Sequence, residues 1–227
     1  MTQSDRSGLR DHRSAGFTLV EILVVLLIIG IISGVLISRL SKSGQRARYE
    51  HSAQAFIQTV GATLERYKGD RGIGRYPPSN LEGFANLGRE TNRTNRGIEA
   101  LVVCLNGPGF RGKRVLEDFE AGSGDIVLEN IDADLSAKNM TIMGARDLFE
   151  MLDPWGNPFA YFHCRDYNNA TVQEYMADSD VGMNHELVTV KPWKNPKTKS
   201  FYKQTSYQLF SAGPDGVFNT DDDIGNW

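Results

Sequence analysis

The sequence predicts an α+β fold in which a long N-terminal helix packs on a C-terminal antiparallel β-sheet. Residues 17–37 are almost wholly apolar and hold one charge, Glu21. Apolar residues at helical spacing then continue to Tyr67, and no proline falls between 17 and 67. From Phe159 onward, short runs rich in Val, Leu, Phe and Tyr alternate with Gly, Pro and Asn, the pattern of strands and turns.

The apolar run matches the roughly 20 residues, at about 1.5 Å each, that a helix needs to span a bilayer. A carboxylate within it is costly unless something compensates it, so Glu21 marks a functional position. A secretory signal would carry its small residues after the apolar core. Here Ser14, Ala15 and Gly16 precede the core, and Gly34 to Ser38 make a poor cleavage site. A plain signal anchor leaves Glu21 unexplained. Charge does not settle topology: Arg39, Lys42, Arg46 and Arg48 follow the run, while Arg6, Arg10 and Arg13 precede it against Asp5 and Asp11.

Beyond the apolar run, Leu36, Leu40, Ala47, Ala53, Phe56, Val60, Leu64 and Tyr67 fall on one helical face. Gln45, Arg48, Gln54, Gln58 and Glu65 fall on the other. The expectation is one helix of about 50 residues, roughly 75 Å long. Gly44 is a candidate bend and Gly69 a candidate C-cap. Residues 69–100 are loop-rich, with a short helix expected from Ser79, where Glu82 completes a capping-box spacing. Residues 98–106 (IEALVVCLN) read as a short buried helix, 111–118 as helical, 126–128 as a short strand, and Arg146 to Met151 as a helical turn. Strands are expected over 159–164, 171–176, 186–191 and 200–210. Lys191, Lys194, Lys197 and Lys199 then belong to a solvated loop.

The 227 residues carry a net charge of −3 with 23% charged residues, so no basic surplus supports nucleic-acid binding. Cys104 and Cys164 are compatible with either a disulfide or two buried thiols. His163, Cys164 and Asp166 resemble a nucleophile set in composition. On a strand, however, His163 and Cys164 would face opposite ways. No nucleophile elbow, zinc spacing or phosphate loop is present, and the chain is not expected to be an enzyme.

Two distal motifs remain. Asp153-Pro154-Trp155-Gly156-Asn157-Pro158 reads as a rigid turn. Its prolines fix φ, Gly156 permits a special backbone angle, Asp153 and Asn157 bond local backbone, and Trp155 plugs against the helix or sheet. Near the C-terminus, Asp215, Asp221, Asp222 and Asp223 repel one another unless solvated or bound to a cation. Ca²⁺ takes six to eight oxygens from such flexible loops. The spacing is not that of an EF-hand, so a solvated acidic tail stays open as the alternative.

Gly16-Phe17-Thr18-Leu19-Val20-Glu21 resembles the class III leader of type IV pilins and type II secretion pseudopilins. The Tyr76-Pro77-Pro78 turn followed by Gly83, then DPWGNP, SAGPDG and DDDIGNW, resembles the major pseudopilin family of type II secretion, also called the general secretion pathway G family. The resemblance implies a type IV pilin-like fold with an insertion-rich middle, since residues 88–151 and 165–200 depart from the family's compact form. It also implies a division into a leader (1–16), a transmembrane and filament-core helix (17–38), its continuation (39–68) and a periplasmic head (69–227).

In that family a prepilin peptidase cuts after the glycine and methylates the new N-terminus, here Phe17. Glu21 of an incoming subunit would pair with the Phe17 amine of a neighbour. The family's terminal loop binds structural Ca²⁺. By motif the ligands fall on Asp215, Asp221 and Asp223, with Ala212 and Val217 supplying carbonyls and Asp222 able to substitute. The loop is shorter here than in the family. The implied function is a subunit that polymerises into a short periplasmic pilus driving type II protein secretion. The implied partners are other pseudopilins, the prepilin peptidase and an inner-membrane assembly platform. A type IV pilin serving adhesion, motility or DNA uptake, and a membrane-anchored binding module, are the alternatives. A disulfide loop near the C-terminus would favour the type IV pilin, and Cys104 and Cys164 are poorly placed for one.

Overall fold

In the computed structural model, residues 19–70, 74–82, 92–106, 127–136, 146–178 and 185–227 are described, with side chains 32–43 left aside. Residues 1–18, the expected helix at 111–118 and Gly83 lie outside them. The chain divides into two compact units, Met1–Gln45 and Arg46–Trp227.

Helix α1 runs Leu19–Gly69, 51 residues, and its helical backbone continues through Gly44. In the first unit the apolar side chains from Leu19 to Ile31 are exposed all round the helix. Among the described residues no helix is long and apolar enough to cross a membrane, and part of the expected 17–38 span lies beyond those searched. In the second unit α1 becomes one-sided. Ala53, Phe56, Ile57, Val60 and Leu64 are buried, while Gln58 and Glu65 face solvent, as the spacing predicts. Ala47 of the expected face is exposed. Gly69 ends the helix but keeps a negative φ, so it is not the left-handed cap expected of it.

Among the described residues, the second unit is built around α2 (Arg96–Asn106) and three small antiparallel sheets rather than one. Strands β1 (Leu128–Glu129) and β2 (Glu150–Met151) pair. β3 (Ala160–His163) pairs with β6 (Tyr207–Ser211), which in turn pairs with β7 (Ile224–Gly225). β4 (Glu174–Asp178) and β5 (His185–Thr189) form a ribbon, with Tyr175 opposite Val188. The core joins α1, α2 and the central sheet through Phe56, Val60, Leu64, Ile98, Leu101, Leu105, Phe159, Tyr161 and Phe210. Gly97 makes that contact possible: a Cβ there would sit 2.1 Å from the Tyr161 carbonyl oxygen.

Several expectations are corrected. Arg146 to Met151 is extended, not helical. Leu148 and Glu150 are buried while Asp147 and Phe149 are only partly so, a period of two that the charged residues disguise. Residues 170–172 form a 3-10 turn because Asn169 Oδ1 accepts from the Thr171 N–H at 3.1 Å, and the strand starts only at Glu174. The span 200–210 is a strand only from Tyr207. Lys203 has φ +50 and its carbonyl accepts from the Ser206 N–H at 3.1 Å, closing a turn. Residues 79–82 bend without forming a helix, and the Glu82 N–H is taken by Asn80 Oδ1 at 3.2 Å instead of by Ser79. The Ser79 hydroxyl accepts from the His163 N–H, tying this segment to β3.

Buried tyrosines each use their hydroxyl to hold a second segment. Tyr161 donates to the Pro77 carbonyl at 2.7 Å, Tyr167 to the Lys203 carbonyl at 2.9 Å, and Tyr175 to the Tyr161 carbonyl at 3.3 Å. Each phenol can bury its ring and still keep a partner for its oxygen.

Candidate functional site

The processing residues Gly16 and Phe17 lie outside the described residues. Glu21 sits in the first turn of α1, where a carboxylate interacts favourably with the helix N-terminus, on the exposed apolar stretch.

The DPWGNP turn folds as its residue types require. Asp153 Oδ1 accepts from the N–H groups of Trp155 and Asn157, both at 3.0 Å. The Gly156 N–H donates to the Asp153 carbonyl at 3.0 Å, and Gly156 takes φ +95. Trp155 is half-buried, edge-on to Tyr49 of α1 with ring centroids 5.8 Å apart. Two further contacts make the turn a junction: the Ser211 hydroxyl donates to Asp153 Oδ2 at 2.5 Å, and the Asp178 N–H donates to Asn157 Oδ1 at 2.9 Å. Burial pushes the Asp153 carboxyl up to about 7, against the opposing pull of the Ser211 hydroxyl and the backbone donors.

The C-terminal loop starts with a 3-10 turn over Gly213–Asp215 and closes on Gly216 in the left-handed conformation, φ +75. Gly213, φ +71, lets the backbone at Asp222 come so near that a Cβ would lie 2.2 Å from its carbonyl oxygen. This approach brings Asp215 and Asp222 together. Thr220 Oγ1 lies 3.1 Å from Asp215 Oδ2 and 2.6 Å from Asp222 Oδ1, and the Asp215 N–H donates to Asp222 Oδ2 at 3.2 Å. The Val217 N–H donates to Asp215 Oδ1 at 2.8 Å. Arg46 of α1, bonded to Glu50 at 2.8 Å, also feels the charges of Asp222 and Asp215.

Asp223 is drawn elsewhere. Its Oδ2 accepts from the Trp193 indole N–H at 2.7 Å and the Asn219 N–H at 2.9 Å, and burial pushes the carboxyl up to about 7. Asp221 is exposed, while Ala212 is fully buried. The geometry suits a cation in part. The paired Asp215 and Asp222 carboxylates offer hard oxygen ligands, whereas Asp223 serves as an acceptor for Trp193. Among the described residues, no three carboxylates of this loop set ligand oxygens within 4.8 Å of one another.

Among the described residues, Glu99, Asp132 and Glu150 do meet within 4.8 Å, and sequence reasoning missed this group. Glu150 accepts from the Asn95 side-chain amide at 3.1 Å and from the Ile131 N–H at 3.1 Å. Burial, then the neighbouring Asp132, pushes its carboxyl up to about 8. The available signal was an acid set inside an apolar run, in IEALVV and again in LFEML.

Of the two sequence expectations about sulfur, one is resolved in favour of free thiols and one changes. Both cysteines are free, Cys104 buried and Cys164 partly so. The strand ends at His163 and a 3-10 turn starts at Cys164, so the two side chains do not diverge: Sγ lies 3.9 Å from His163 Nδ1. That nitrogen already accepts from the Arg165 N–H at 3.2 Å, capping the turn. His163 therefore caps the turn that Cys164 starts.

Residues 11–37 match the family described as the prokaryotic N-terminal methylation motif. Over 215 residues the chain is 25% identical to the type II secretion system core protein G of Escherichia coli (strain K12), covering 95% of this chain and 92% of that one. The chain is similar to type II secretion core G proteins over nearly its whole length. The namesake from Pseudomonas aeruginosa is 24% identical over 95% of this chain and 96% of its own. That from Pectobacterium carotovorum is 24% identical over 100% of this chain and 97% of its own. No solved structure matches. These relatives are named for type II secretion and not for type IV pili.

Proposed function

We propose that this protein is a structural pseudopilin subunit that polymerises through its N-terminal helix into a short pilus serving type II protein secretion. One observation carries the reading: a methylation motif at residues 11–37 heads a chain similar to core G proteins over nearly all its length. The maturation steps follow from that motif. The leader is cut after Gly16, and Phe17 becomes a methylated α-amine at the start of the apolar stretch. Residues 17–38 anchor the subunit in the inner membrane, with the head in the periplasm, until the assembly platform extracts it. In the filament, neighbouring helices replace lipid around the exposed side chains of Leu19 to Ile31.

Glu21 would then face the Phe17 amine of a neighbour. In a low-dielectric filament core an unpaired carboxylate is costly and a paired one tolerable. Ca²⁺ held by Asp215 and Asp222, with Asp221, Asp223 and the Ala212 and Val217 carbonyls as the remaining candidates, would stabilise the head. The support is the close approach of Asp215 and Asp222 allowed by Gly213.

Intact-mass measurement of membrane-extracted protein tests the reading. The expected mass begins at N-methyl-Phe17, and a mass beginning at Met1 overturns it. Glu21→Ala should leave cleavage intact and abolish filament yield; filaments at the unsubstituted level would refute the pairing.

A further inference from the structure

A trough of about 720 Å³ lies between the 3-10 region after β3 and the loop before β6, bordered on one side by Phe218 and Asn219 of the C-terminal loop. Its walls are Tyr167, Trp193, Phe201 and Phe218, with Lys191 and Lys194 exposed on its lining. We propose that this trough is a binding site for an extended acidic peptide segment of a partner protein that carries a flat apolar side chain between its carboxylates.

The charge argument is specific. Among the described residues the ion pairs are Arg46–Glu50 and Arg96–Glu82, and neither Lys191 nor Lys194 has a carboxylate within 4.0 Å. No acidic residue lines the trough. The nearby Asp223 points its Oδ2 at the Trp193 indole N–H instead of at a lysine. Lys194 Nζ sits 4.5 Å from the Phe201 ring centroid, which holds that ammonium over the aromatic floor. A ligand with carboxylates therefore meets two uncompensated cations, and a flat side chain meets the rings between them.

The trough is also built in advance. The Trp193 N–H donates to Gln208 Oε1 at 2.6 Å, and the Trp193 carbonyl accepts from Gln208 Nε2 at 2.9 Å. The Lys191 N–H and carbonyl are both held by the Asn219 side chain, at 2.8 and 2.7 Å. Little ordering is left to oppose binding. A second copy of this chain is a poorer occupant. Among the described residues beyond α1, the large exposed hydrophobics are Val127, Leu187 and Trp227, and the Trp227 ring is stacked on Tyr202.

The test is fluorescence anisotropy on the full chain in nonionic detergent, with a labelled heptapeptide of alternating glutamate and phenylalanine. Saturable binding is expected, weakening about tenfold or more when Lys191→Glu and Lys194→Glu are combined, and weakening with added salt. Both lysines are exposed, so the double variant keeps its fold, checked by near-ultraviolet circular dichroism. Trp193→Phe should retain part of the affinity. Equal binding of the glutamine-for-glutamate peptide, unchanged binding by the charge-reversed variant, or preference for a neutral oligosaccharide would each overturn the proposal. So would loss of filament yield in the double variant without peptide binding, which would assign the trough to a second copy. The peptide-binding outcomes do not depend on cleavage at Gly16, so the pseudopilin reading stands or falls separately.

Discussion

Replacing Gly213 with alanine probes whether the close passage of the C-terminal loop over its own 3-10 turn holds the head together. The residue sits at φ +71, where an L side chain is disfavoured by about 1–2 kcal/mol. The new Cβ would also lie 2.2 Å from the Asp222 carbonyl oxygen and 2.9 Å from its carbonyl carbon. These are backbone atoms, so no rotamer change relieves the clash. The loop must move by roughly 1 Å, weakening the Asp215 N–H to Asp222 contact. The combined cost is about 3 kcal/mol or more, in the range of large single-residue effects. With a urea slope of roughly 1–3 kcal/mol per molar, the unfolding midpoint should fall by about 1–3 M. The measurement is urea unfolding of the full chain in detergent, followed by tryptophan fluorescence. Gly216→Ala is the internal control: φ is +75, but its nearest atoms are side-chain atoms, Asp178 Oδ2 at 3.1 Å and Asn157 Nδ2 at 3.2 Å, which can yield. A Gly213→Ala midpoint no lower than that of Gly216→Ala would refute the reasoning.

Stability should fall as pH rises from about 4, where carboxyls ionise in the unfolded chain, to about 8. The carboxyls of Glu150, Asp153 and Asp223 are raised to about 8, 7 and 7, so the folded chain holds protons that the unfolded chain has already released. His163, lowered by burial, acts in the opposite direction but below its ordinary value. A urea midpoint in chelator that rises over this window would exclude the effect. Gly97→Ala, whose Cβ would meet the Tyr161 carbonyl oxygen at 2.1 Å and the Tyr175 hydroxyl at 2.5 Å, should cost about 3 kcal/mol or more by separating α2 from β3. Thermal unfolding within a few degrees of the parent would contradict this. Chelator should lower the melting temperature of the full chain, and Asp215→Asn should remove most of that response. A melt insensitive to chelator would argue against structural Ca²⁺.

The parts of the fold that the sequence declared were those with long periodicity. The one-sided spacing of Ala53, Phe56, Val60 and Leu64 needs only local geometry to be read, and so does the apolar run that becomes α2. The head was harder because its strands are two to five residues long, too short for alternation to outvote individual charged residues. Phe149 and Glu150 illustrate the difficulty: a buried glutamate reads as a surface residue until Asn95 and the Ile131 N–H are seen to hold it. Among candidate site residues, DPWGNP was legible because every contact inside the turn spans four residues or fewer. The acidic loop was legible only as a composition. Trp193, 30 residues upstream, diverts Asp223 from its neighbours, and no local spacing encodes that.

The tyrosine hydroxyls that tie Pro77, Lys203 and Tyr161 into the head have a spectroscopic consequence. Burial raises the phenols of Tyr161, Tyr167 and Tyr175 above their ordinary value. In the folded protein these rings stay protonated at alkalinities where free tyrosine has ionised. Their ultraviolet absorbance should therefore change in one abrupt step when the head opens, and alkaline absorbance titration would time that opening without any label.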